Sequence, residues 1–189
     1  MPGLLSEADV ERVFAEITAV MAQRPDVPED LIQYDPCMRD KDHTQTNELH
    51  VRKLFRMAKH LTFFRELAQR PALLQTARDL LGPQVALVQT MLLMKPPEIS
   101  GPKVWHQDNG YWKCVPANLV SCWLTLDDVD RTNGAMHVVP GSHRAPVNHD
   151  KSESTSALLD VGSQIDESKD EVIDLPSGGE MFHHCQTLH

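Results

Sequence analysis

Apolar residues recur every three or four positions through SEADVERVFAEITAVMAQ. Val10, Val13, Phe14, Ile17, Val20 and Met21 form one stripe, which predicts a helix with a core-facing side. Ser6 is placed to cap it, and Asp9 suits its first turn. A second helical stripe follows in Leu61, Phe64, Leu67 and Ala68. PALLQTARDLLG predicts another helix, opened by Pro71 and closed by Gly82. Between these, RPDVPEDLIQYDPCMRDKDHTQTN has no period and reads as an irregular excursion.

From Pro83 the period changes from helical to alternating. In VALVQTMLLMK one side carries Val85, Leu87, Gln89, Met91, Leu93 and Lys95, and the other Ala86, Val88, Thr90, Leu92 and Met94. Both sides are mostly apolar, which predicts a strand between two layers. PPEISGP reads as a loop and KVWH as a short extended piece. NLVSCWLTLDDV predicts a strand rich in branched and aromatic residues. Asn133-Gly134 predicts a hairpin turn, with AMHVVPGSH as the return strand. Residues 144–171 are polar and predict a long loop. EVIDLPSGGEMFHH predicts a strand, a glycine-rich turn and another strand. Helices first and short strands afterwards imply an α+β chain, mainly β, whose small antiparallel sandwich or barrel has helices packed outside.

Composition narrows the functions open to such a fold. The 189 residues suit one domain, and a net charge of −9 argues against a nucleic-acid or anionic-membrane partner. No run is apolar and long enough for a transmembrane helix, and the N-terminus does not read as a secretory signal. The four cysteines, Cys37, Cys114, Cys122 and Cys185, are scattered and read as reduced thiols of a cytoplasmic protein. The ten histidines are the first sign of metal or acid–base chemistry.

In VWHQDNGYW, His106 and Asp108 stand two apart, so in an extended segment both point to one side. Two imidazoles and one carboxylate on one face of Fe(II) leave three positions open for reactants. An isolated histidine–aspartate pair is common by chance, and taken alone it is better explained by a histidine in a turn beside an aspartate. Trp105, Tyr111 and Trp112 around the pair suit the wall of a small-molecule pocket, though they also suit a core. A third ligand would come from His183, His184 or His189, among which spacing does not choose; adjacent His183 and His184 face opposite sides of a strand.

The ordered pieces MLLMKPP, WHQD, VSCWLTLDDVDRTNGAMHVVPGSH and LPSGGEMFHHCQTLH resemble the phytanoyl-CoA dioxygenase family of Fe(II)/2-oxoglutarate oxygenases, from about Lys53 onward. The resemblance implies a double-stranded β-helix, a jelly-roll or cupin-like barrel, with helices outside. It implies a single oxygenase domain over 1–189, mostly helical over 1–82 and an incomplete jelly roll over 83–189. It makes His106, Asp108 and His189 the iron ligands and catalytic centre, with His184 matching a family histidine that is not a ligand. Lys53, Met91, Gln107 and Trp123 match family contacts to 2-oxoglutarate; read alone they suggest a solvated charge, two core residues and a surface amide.

The implied activity couples decarboxylation of 2-oxoglutarate by O2, yielding succinate and CO2, to hydroxylation of a small organic substrate. Asp108 fills the iron position that related halogenases leave to halide, which favours hydroxylation. Family members carry a GSGPN-like stretch and a 2-oxoglutarate-gripping arginine after the last metal histidine. This chain stops at His189, so the expectation is a truncated fragment that lacks the final strands and that arginine. Two other readings stand beside it: an inactive or non-catalytic jelly-roll domain, and a cupin-type metal enzyme that does not use 2-oxoglutarate. Substrate identity and oligomeric state are not legible.

Overall fold

The computed structural model describes residues 3–23, 26–34, 51–96, 103–151, 159–161 and 165–189. Cys37, most of the irregular excursion after Arg24 and most of PPEISGP lie outside the described residues. The chain divides into two compact units, one of Glu11–Gly101 and one of Met1–Val10 with Pro102–His189.

Helix α1 (Glu7–Ala22) starts where Ser6 and Asp9 exchange hydrogen bonds. The Asp9 N–H donates to Ser6 Oγ at 3.2 Å, and the Ser6 N–H donates to Asp9 Oδ2 at 2.9 Å. Two otherwise orphaned donors are thereby satisfied. Val10, Val13, Ile17, Val20 and Met21 are buried as the stripe predicts, but Phe14 is 44% exposed. It stands on the flank of the stripe, where the helix turns toward solvent.

Strands β1 (Ile32–Tyr34) and β2 (Val51–Phe55) are followed by α2 (Met57–His60), α3 (Thr62–Ala68), α4 (Pro71–Leu81) and β3 (Met91–Leu93). The three strands form one antiparallel sheet in the order β1-β2-β3, with Leu54, Val51 and Leu31 fully buried beside it. Pro71 opens α4, and Gly82 closes it at φ +105°, a conformation that suits glycine. The strand predicted over 85–95 shrinks to three residues, and Leu87, Val88, Met91 and Leu93 are exposed. Among the described residues β3 pairs with β2 alone, so alternation that reads as a strand between layers has a ladder on one side only.

The second unit adds α5 (Asn109–Trp112), β4 (Val120–Leu124), β5 (Met136–Val138), β6 (Asp150–Lys151), β7 (Leu159–Asp160), β8 (Glu171–Ile173) and β9 (Glu180–His184). The pairs are β4 with β9, β5 with β8 and β6 with β7, all antiparallel. The hairpin expected across Asn133-Gly134 does not form. The turn does, with the Ala135 N–H donating to Asp130 O at 3.1 Å and Gly134 at φ +91°, but the strands on either side take different partners. Val129 bridges Leu175 before the turn, and β5 joins β8 after it. An Asn-Gly turn fixes the local reversal; which strands pair is decided by the faces they must bury. Described residues of this chain thus form a mixed α/β arrangement of small antiparallel sheets, without a closed barrel among them.

The turn before β9 is held from the start of the chain. The Leu5 N–H donates to Gly178 O at 3.1 Å. Gly178 has φ +77°, and a Cβ there would lie 2.3 Å from Leu5 O, so only glycine fits.

Candidate metal centre

His106 and His189 are joined through their main chains: each N–H donates to the other's carbonyl, at 3.0 and 3.1 Å. Their rings are fixed by the same local device. Nδ1 of His106 lies 3.0 Å from Val104 O, and Nδ1 of His189 lies 3.0 Å from Thr187 O. A carbonyl accepts only, so each Nδ1 carries the proton and each Nε2 keeps its lone pair. Both Nε2 atoms lie 3.7 Å from Asp108 Oδ1. Asp108 is not extended. It sits at φ −53°, ψ −34° as the residue before α5, so its approach to His106 comes from a helical start rather than from strand alternation. The Asn109 N–H donates to Cys185 O at 2.8 Å and anchors that start against the end of β9.

One ligand-capable atom from each of His106, Asp108 and His189 falls within 4.8 Å of the others. The two histidine rings are 4.3 Å apart, and Tyr111 meets His106 edge-on at 5.5 Å. Burial, then the nearby His189 and Lys103 charges, push the His106 imidazolium down to about 3. Burial, then His183, also lowers His189. For Asp108, burial alone would raise the carboxyl; His183, His189 and the Ser121 hydroxyl outweigh it and hold the group well below the ordinary carboxylate range. At neutral pH the cluster is therefore two neutral imidazoles and one carboxylate.

Those properties fit a divalent transition metal. Bonds of about 2.0–2.2 Å to nitrogen and oxygen would put donors on neighbouring corners roughly 3 Å apart, so the 3.7 Å spacings need only a small contraction. The negative charge on Asp108 has no lysine or arginine ion pair among the described residues. The outward-facing Nδ1 bonds are the kind of support that holds a metal-ligating imidazole in one tautomer.

The other sequence-predicted residues take varied places. Gln107 is 1% exposed rather than a surface amide. Its Nε2 donates to Ala145 O and Gln186 O at 2.9 and 2.6 Å, and its Oε1 accepts the Val147 N–H at 3.0 Å. Trp123 pairs with Met181 in the β4–β9 ladder. Lys53, opposite Leu93, and Met91, opposite Phe55 and 46% exposed, belong to the Glu11–Gly101 unit. Trp105 stands edge-on to His137, and Trp112 is part-exposed. His184 faces His143, ring centroids 6.0 Å apart.

Ser121 has no role legible in the sequence, yet its Oγ donates to Asp108 Oδ2 at 2.5 Å. A hydroxyl on the Trp123 side of the strand was the available signal. A cavity of about 320 Å³ is lined by Val138, His143, Met181, His183 and Thr187. It adjoins β9, and none of Trp105, Tyr111 and Trp112, which suit a pocket wall in the sequence, lines it.

The family model described as Phytanoyl-CoA dioxygenase (PhyH) matches residues 1–189. The chain belongs to the phytanoyl-CoA dioxygenase family. It is 29% identical over 150 residues to the peroxisomal phytanoyl-CoA dioxygenase of Rattus norvegicus, covering 77% of this chain and 44% of that protein. It is 28% identical over 150 residues to an ectoine dioxygenase of Bordetella bronchiseptica, covering 76% of this chain and 45% of that one. The matched region thus spans less than half the length of these relatives. The fold is shared with EctD from S. alaskensis, solved with bound Fe, at a TM-score of 0.75 and 22% identity over 100% of this chain and 64% of that one. EvdO2 from Micromonospora carbonacea, complexed with 2-oxoglutarate, gives a TM-score of 0.67 at 20% identity over 100% and 76%. No helix among the described residues is long and apolar enough to cross a membrane.

Proposed function

We propose that the chain carries the iron centre of an Fe(II)- and 2-oxoglutarate-dependent dioxygenase that hydroxylates a small organic substrate. The observation that carries the reading is the approach of His106, Asp108 and His189 to within 4.8 Å, in a chain that belongs to the phytanoyl-CoA dioxygenase family. In this reading both units form one oxygenase domain, and the strands of the second unit are part of a jelly roll.

His106 and His189 offer Nε2 and Asp108 offers Oδ1 to Fe(II). A metal held there would supply the redox chemistry that couples oxidative decarboxylation of 2-oxoglutarate by O2 to oxidation of a substrate C–H bond. The protein's part is geometric and electrostatic. The Val104 and Thr187 carbonyls hold the two rings in the binding tautomer. Burial keeps water away and the imidazoles neutral, and Tyr111 walls the His106 side. Asp108 keeps its negative charge at working pH and fills the position that a halide would need. Lys53, Met91 and Trp123 are proposed cosubstrate contacts; Gln107, with its amide engaged by three main-chain groups, is better suited to fixing the segment between the ligands.

The names of relatives span phytanoyl-CoA, ectoine and hypophosphite, so family membership leaves the substrate open. A net charge of −9 favours a substrate other than an acyl-CoA, whose phosphates call for basic side chains. A second reading, a cupin-type centre that does not use 2-oxoglutarate, is favoured by one observation: a third imidazole, His183, stands 4.5 Å from the His189 ring.

Anaerobic addition of Fe(II) and then 2-oxoglutarate tests the choice. A visible charge-transfer band, followed by oxygen-dependent succinate and absent from Asp108→Ala, is expected. Iron binding without the band would favour the cupin reading, and no iron binding would end both.

A further inference from the structure

Two strands meet behind Asp108. In the β4–β9 ladder Ser121 stands directly opposite His183. Cross-strand partners share a face, and here both reach the same atom. Ser121 Oγ donates to Asp108 Oδ2 at 2.5 Å, and His183 Nε2 lies 3.3 Å from that oxygen, off the hydrogen-bond direction. His183 is 8% exposed, and neither ring nitrogen has a hydrogen-bond partner among the described residues. A neutral imidazole must place one N–H somewhere. On Nδ1 the proton would be buried without an acceptor, which is costly. On Nε2 it stands beside a carboxylate oxygen. The ring is also distinct from the three residues whose donor atoms converge.

We propose that Ser121 and His183 are a two-donor clamp on Asp108 Oδ2, which leaves Oδ1 alone to bind the metal. This rests on the iron centre proposed above. A carboxylate can bind a metal through one oxygen or two. Three facial ligands leave three open positions, two for the keto acid and one for O2. If Asp108 bound through both oxygens, one of those positions would close. The Ser121 hydrogen bond to Oδ2, with His183 Nε2 3.3 Å from the same oxygen, fixes the carboxylate plane and occupies the oxygen that would swing in. His183 and Ser121 are thus positioning residues, acting through Asp108. The β4–β9 register supplies the device, because a slip of one residue would turn both side chains to the opposite face.

The test uses the full chain under anaerobic conditions, with Fe(II) titration, the 2-oxoglutarate charge-transfer band and the absorption spectrum of the Co(II) form. His183→Phe keeps a planar ring and removes the donor. His183→Gln keeps an N–H at similar reach, and Ser121→Ala removes the other donor. His183→Phe is expected to weaken Fe(II) binding about 10–100-fold, the range for groups that orient ligands. It should also change the Co(II) spectrum and diminish the band at saturating iron, while His183→Gln restores all three.

A His183→Phe variant with unchanged circular dichroism and thermal midpoint that matches the wild type in iron affinity, Co(II) spectrum and band would overturn the clamp. So would a His183→Gln variant that behaves like His183→Phe. Should His183→Phe fail to fold, Ser121→Ala decides: weaker iron binding supports the clamp, and wild-type affinity overturns it. Failure of the underlying iron centre looks different, since the wild type would then bind Fe(II) no better than Asp108→Ala.

Discussion

Asp108 and Asp30 are both aspartates surrounded by nitrogen, and their surroundings send them to opposite uses. Asp30 lies beside permanent cations: Arg56 at 3.2 Å and Lys59 at 2.8 Å, with His60 at 2.7 Å. Its neighbours are largely exposed, and Lys59 first among the favourable partners holds its carboxyl well below the usual range despite some desolvation. Asp108 is half-buried among His106, His183 and His189, whose rings supply polarity but no permanent charge. The first carboxylate already has its counter-charge. The second faces the Nε2 lone pairs of His106 and His189, and in the proposed reading a metal cation completes that arrangement. Aspartate and histidine together do not mark a metal site; the distinction is whether the counter-charge is built into the chain.

The strongest way to break this contrast is substitution of each aspartate. Asp108→Ala is expected to abolish Fe(II) binding in an anaerobic titration, a loss beyond the about 10–100-fold caused by removing an orienting group. Asp30→Ala should bind iron as the wild type does; an equal loss in both variants would erase the distinction.

A second measurement uses heat. Metal at about 100 times its dissociation constant stabilises the folded state by about 2.7 kcal/mol. At about 2–4 °C per kcal/mol for a chain of this size, melting should shift upward by roughly 5–10 °C. The shift should survive in Asp30→Ala and vanish in Asp108→Ala or with chelator.

Next in size, Gly178→Ala places a side chain against Leu5 O in a left-handed conformation. A cost of about 1–3 kcal/mol is expected, within the range for backbone strain. It should appear as a lower thermal midpoint in metal-free protein as well, since it acts on the frame of β9 and not on the ligands.

The smallest effect belongs to Asp30 and pH. Its folded pKa is depressed, so the stability it contributes is present above its unfolded value near 3.8 and is lost as pH falls through the lower folded value. The midpoint difference between wild type and Asp30→Asn should therefore be visible at pH 5, shrink below pH 4 and shrink in high salt. A difference that grew with acid would invert the account.

The helices were legible because their information is local. The stripe from Val10 to Met21, the Ser6–Asp9 cap and the Pro71–Gly82 punctuation each act within a few residues, and only Phe14 escapes the pattern. The strands were legible as segments and not as partners. Asn133-Gly134 announces a reversal, yet β5 finds β8 and β4 finds β9, choices made by burial across long stretches of sequence. At the site, the residues of the HQD motif could be picked out, whereas Ser121 and His183 acquire meaning only from strand register. Gln107 shows the converse, since a polar residue in a turn reads as solvated until three main-chain groups close around it.

The contact between Leu5 and Gly178 has a consequence in time. A ribosome releases Leu5 long before its partner Gly178, and His106 well before His189. Contacts so far apart in sequence close slowly. In refolding, competence to bind metal should therefore lag behind formation of α1, and that interval is when the apolar strands of the second unit are most open to association with other chains.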